Sequence, residues 1–63
     1  MYLARVRDFV DGLTFPATRA QVVTYAERKN TPSDIVHDLN RLASDRFATL
    51  EEVIQAVDAQ RYG

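Results

Sequence analysis

The chain has no cysteine and no tryptophan among its 63 residues, and only two glycines, two prolines and one histidine. Each scarcity removes a class of chemistry. Without cysteine there are no disulfide staples and no thiolate zinc site. With only Gly12 and Gly63 there is no glycine-rich phosphate loop. A lone histidine leaves few ways to assemble a three- or four-ligand metal site. No apolar run approaches the roughly 20 residues that span a bilayer. The start, Met1-Tyr2-Leu3-Ala4-Arg5, has no basic segment followed by an apolar one. These features lead us to expect a soluble, unprocessed, cytoplasmic protein with no membrane partner and no cofactor.

What is present is a short chain of balanced charge. A domain this size buries only roughly 60% of the surface of its unfolded chain. Its core must be thin, and good caps and close helix packing must compensate. The formal net charge is -1. Residues 1–31 hold five basic and three acidic residues, and residues 32–63 hold three basic and six acidic ones. That is a weak charge dipole and not the basic stripe of a nucleic-acid binder.

The apolar spacing predicts an all-α, compact single domain of four short helices, at about residues 2–11, 19–29, 32–43 and 50–60. Leu3, Val6, Val10 and Leu13 recur at helical steps, with Phe9 on the flank. Arg7 and Asp11, four apart, are placed to pair across one turn. Gly12 suits the left-handed position after a last helical turn. Leu13 and Phe15 then read as apolar anchors of a first corner, with Pro16 holding Phe15 extended. Thr18 and Gln21 form a capping-box pattern that starts the second helix, whose inward residues are Val22, Val23 and Ala26. Asn30 ends that helix, and Thr31-Pro32-Ser33-Asp34 reads as cap, first-turn proline and first-turn acid of the third. Its core face is Ile35, Val36, Leu39 and Leu42. Ser44-Asp45-Arg46 is turn-like, and Phe47 is a second aromatic anchor. Thr49 and Glu52 form another capping-box pattern, followed by Val53, Ile54 and Val57 inward. Arg61-Tyr62-Gly63 is expected to fray.

The two corners echo one another. Phe15-Pro16-Ala17-Thr18 leads to Gln21-Val22-Val23, and Phe47-Ala48-Thr49 leads to Glu52-Val53-Ile54. The echo is open to a duplicated helix-start unit, but two helices using the same cap chemistry account for it, and a single echo is short of a repeat array.

Candidate chemistry is sparse. His37 has Asp34 one turn before it and Arg41 one turn after, with Asp38 adjacent. Asp34 and His37 share a face, but two ligands do not make a metal site. The hydroxyls of Thr18, Thr31, Ser33 and Thr49 are explained by capping, and Glu51-Glu52 by the positive end of a helix dipole. The expectation is therefore no catalytic, cofactor or metal residue, and a protein that is not an enzyme. Tyr2, Tyr25 and Tyr62 lie on helix flanks or ends, where aromatic side chains could dock a protein partner or a second copy.

Residues 12–18 together with Asp45-Arg46-Phe47-Ala48-Thr49-Leu50-Glu51-Glu52-Val53 resemble a small prokaryotic family catalogued as domain of unknown function 2795. Its members share an aromatic-Pro-Ala-Ser/Thr corner, an Asp/Arg-aromatic turn and a closing helix with an acidic start. The resemblance covers nearly the whole chain. It departs where the family often has Leu-Pro before the Asp-Arg turn, since Leu42-Ala43-Ser44 stands here. It implies a compact helical module and no known activity. The leading expectation is a small non-enzymatic protein–protein interaction or regulatory module, acting on a protein partner or as a homodimer. The alternative is a helix-turn-helix-like nucleic-acid binder using the second and third helices. In that reading Ser33, Asp34, His37 and Asp38 would face bases, and Arg19, Arg28 and Lys29 the phosphates.

Overall fold

Each apolar stripe draws one helix onto a common core. The computed structural model describes all 63 residues. In chain order the elements are α1 (Tyr2–Val10), β1 (Ala17–Thr18), α2 (Arg19–Arg28), α3 (Ser33–Asn40), β2 (Arg46–Phe47) and α4 (Leu50–Tyr62). Four helices in a compact, mainly α arrangement are as the periodicity predicts. The two-residue strands are new. They pair antiparallel, with Ala17 opposite Phe47 and Thr18 opposite Arg46. A pair this short leaves no alternation to read in the sequence. It forms because the two corners meet and satisfy each other's backbone groups.

The core consists of thirteen buried apolar residues, and no polar or charged residue is buried with them. Val6 and Val10 come from α1, and Val22, Val23 and Ala26 from α2. Ile35 and Leu39 come from α3, and Val53, Ile54 and Val57 from α4. Ala17, Leu42 and Phe47 complete it from the corners. Burying Phe47 stabilises the fold by about 1.5–3 kcal/mol. Phe15 does not join it in the core. It packs half-buried on the edge, because Ala17 takes the inward position of the first corner. The peptide bond before Pro16 is cis.

Helix ends show where sequence reading stops short. α1 ends at Val10 because Asp11 is already extended, with φ -63° and ψ 138°. Gly12 follows in the left-handed region at φ +94°. The Thr18–Gln21 capping box is complete, at 3.1 Å and 2.8 Å. At the second corner Thr49 caps the Glu52 amide at 3.3 Å. Glu52 does not return the bond to Thr49, but reaches one residue further back to the Ala48 amide at 2.9 Å.

Thr31 does not cap α3 as the sequence suggests. α2 ends in a Schellman turn, with Asn30 left-handed at φ 58°. The Asn30 and Thr31 amides return to Glu27 and Ala26. Thr31 therefore belongs to the end of α2, its hydroxyl is buried without a partner, and Pro32 stands at the N-cap of α3 with no side-chain cap bond. α3 also stops at Asn40, three residues before the expected end, and Leu42 enters the core from the turn beyond it.

α4 extends to Tyr62, two residues past the expected end at residue 60. Arg61 lies 3.9 Å from the centre of the Tyr2 ring and 3.0 Å from Asp38. The Tyr2 hydroxyl donates to the same Asp38 carboxylate. First, third and last helices are thus tied at one end of the molecule.

Candidate functional site

His37 is the sequence's strongest chemical candidate, and the fold disperses its neighbours. The imidazole is exposed on α3, beside an open cleft of about 580 Å³ that is also lined by Glu27, Ser33 and Asn40. Asp38 faces away from it, bound to Tyr2 and Arg61. Among all His, Asp and Glu residues no group of three stands where it could hold a metal ion. Ser33, Thr18 and Thr49 lie at helix starts, and Thr18 and Thr49 are occupied as caps.

The cations proposed for phosphate contact are mostly engaged within the fold. Arg19 donates to the Leu42 carbonyl at 2.7 Å and pairs with Asp45 at 3.2 Å. Its amide also donates to the Asp45 carbonyl at 2.7 Å. Arg19 thereby holds the start of α2 to the turn before β2. Lys29 reaches the Asp8 and Asp11 carbonyls at 3.4 Å and 3.3 Å, in the last turn of α1 and just past it. That places a positive charge at the negative end of the α1 dipole. Of the three, Arg28 alone makes neither an ion pair nor a side-chain hydrogen bond.

Arg7 does not pair with Asp11. It forms a two-pronged bond to Glu51 on α4, at 2.8 Å and 2.9 Å. The bond from Arg7 lowers the Glu51 carboxyl below its ordinary value, and the same bond raises the Arg7 guanidinium. Helix periodicity shows which residues share a face, but not that α1 lies against α4.

Two of the three tyrosines are also committed. The Tyr2 phenol is raised well above its ordinary value, first by burial and then by its hydrogen bond to Asp38. The Tyr25 hydroxyl donates to the Asp11 carbonyl at 2.6 Å, with Lys29 5.3 Å from its ring centre. Only Met1 and Tyr62 remain as large exposed hydrophobic side chains. The three tyrosines therefore do not form one aromatic docking set.

What the fold does create is a second cleft, of about 500 Å³, between the first corner and α2. Leu13 and Ala20 supply apolar surface, Gln21 and Thr24 polar groups, and Tyr25 and Arg28 stand on the same wall. The sequence gives no signal for it, since residues 12–14 and 20–28 meet only through the corner.

The model of the family described as Protein of unknown function (DUF2795) matches residues 3–54. The chain belongs to this family. The match spans both corners and the first turn of α4, and stops before Gln60 and Arg61. The corner residues within that span have structural work in this DUF2795 member: Ala17 and Phe47 are buried, Thr18 and Thr49 are caps, and Asp45 holds Arg19. No curated protein and no solved structure matches the chain. No helix is long and apolar enough to cross a membrane.

Proposed function

We propose that this DUF2795 member is a non-enzymatic module that acts by contacting another protein through the cleft beside its first corner. One observation carries the reading: a preformed cleft joins apolar surface at Leu13 and Ala20 to a fixed aromatic and an unpaired cation. Tyrosine and arginine are the residue types that most often dominate binding energy at protein interfaces. Tyr25 is already anchored by its bond to Asp11, so little side-chain freedom is lost when a partner settles on it. Arg28 suits a partner that presents a carboxylate next to an apolar side chain. A cytoplasmic setting belongs to the same reading and is supported by the cysteine-free composition.

The test is a comparison of bound proteins. Tagged wild type and an Ala20→Arg variant are incubated with the same cell extract. Ala20 is exposed, so the variant should retain its helical circular dichroism. A protein retained by wild type and lost from A20R, and lost again with Arg28→Glu, supports the reading. Identical sets from all three overturn it.

A further inference from the structure

The echo between the two corners extends far beyond shared caps. Residues 19–30 are buried, half-buried or exposed in the same order as residues 50–61, at all twelve positions. Residues 2–12 match residues 31–41 in the same way, at all eleven. Val6 and Val10 thus correspond to Ile35 and Leu39. Val22, Val23 and Ala26 correspond to Val53, Ile54 and Val57. Any two amphipathic helices share a stripe over a turn or two. Here the order helix, corner, strand, helix also agrees. The second half differs by Ala48-Thr49, which lie between β2 and α4. In the first half Thr18 is both strand residue and cap.

Packing obeys the same correspondence. α1 lies on α4 and α2 lies on α3, which are one interface met twice. β1 and β2 run antiparallel, as a twofold axis between equivalent strands requires. Lys29, just past the end of α2, and Gln60 on α4 occupy equivalent positions. Lys29 reaches main-chain carbonyls at the end of α1, and Gln60 reaches the Asp38 carbonyl near the end of α3, at 3.0 Å.

We propose that the chain is two copies of one helix–corner–helix unit, and that the surface joining its halves also binds a second copy of this chain, by exchange of halves at Lys29–Pro32. α3 and α4 make few contacts with each other, so the second half has little core of its own. Its apolar face is covered by a first half, and a first half from another copy offers the same residues. The closed hinge carries two local costs: Asn30 is left-handed, and the Thr31 hydroxyl is buried without a partner. Opening the hinge removes both and keeps the interface between halves. The proposal is independent of the cleft at the first corner.

The cysteine-free sequence allows a direct test on the full chain. Arg7 and Glu51 are surface neighbours on opposite halves. A tagged R7C chain and an untagged E51C chain are unfolded together, refolded at high concentration and treated with a short bismaleimide. Exchange puts position 7 of one chain beside position 51 of the other. We expect at least tenfold more tagged–untagged product than from the same chains mixed without unfolding. R7C with R28C is the control, because both positions lie in the first half and stay in one chain. Its interchain product should remain at the unmixed level. Equal product from both pairs, or no increase on refolding, overturns the proposal.

Discussion

Phe47 shows what a single residue contributes in so thin a core. It is 2% exposed and lies opposite the small Ala17 in the strand pair. Phe47→Ala should cost roughly 3–5 kcal/mol, read as a shift in the urea midpoint. A near-neutral result would show that the corner collapses without loss. Gly12 carries a different constraint. Its φ is +94°, and a Cβ there would lie 2.7 Å from the Tyr25 hydroxyl. Gly12→Ala therefore strains the backbone and displaces the Tyr25–Asp11 bond together. We expect a loss on the order of 1–3 kcal/mol. Thr31 should respond in the opposite direction. Thr31→Val removes a buried hydroxyl that has no partner and keeps the side-chain shape. Thermal melting should show a neutral to stabilising effect of up to about 1 kcal/mol.

At the scale of elements, the helix starts were the most legible features of the sequence. A hydroxyl followed three residues later by Gln or Glu marks a helix start through local geometry alone. Both such starts are at the predicted residues. Thr18→Ala and Thr49→Ala should each cost about 1 kcal/mol. Thr18 also lies in β1, and its amide donates the return bond to the Gln21 side chain, so its substitution should be the more damaging in chemical denaturation. Equal effects would argue that the complete box adds nothing to a single cap bond. Helix ends were less legible. Asn30 was readable as a terminator, but the Schellman turn that removes Thr31 from the α3 cap depends on where the chain goes next. The strand pair was not legible, because two-residue strands have no period. The 500 Å³ cleft was equally silent, being a product of two segments meeting.

At the scale of the whole molecule, the ends of the chain are joined by charge and aromatic contact. The molecule measures 26 × 23 × 17 Å, with a radius of gyration of 10.1 Å. That is close to the ~10.6 Å typical of a compact chain of this length. Tyr2, Asp38 and Arg61 connect α1, α3 and α4 across the sequence. Burial and the Asp38 bond raise the Tyr2 phenol above its ordinary 10.0. The folded protein therefore holds this proton more tightly than the unfolded chain does. Its contribution is complete below about pH 10 and is lost progressively as pH rises above that value. Urea midpoints should fall between pH 9 and pH 11, and the fall should be smaller in Tyr2→Phe. An identical pH dependence in both would show that Tyr2 is not the group responsible. The same contacts explain why α4 continues to Tyr62, past its expected end.

The sequence by itself determined four amphipathic helices, their inward stripes and two capped starts. Spacing and cap chemistry act over a turn or less, so they survive without knowledge of the fold. It also carried the Phe15-Pro16-Ala17-Thr18 corner and its echo, though as separate punctuation. Only the tertiary structure decided that these corners pair, that Arg7 meets Glu51 and not Asp11, and that Arg19 and Lys29 are engaged internally. Those outcomes depend on which helix lies against which. That choice belongs to burial of the whole core at once, because no local stretch of 63 residues can cover its own apolar face.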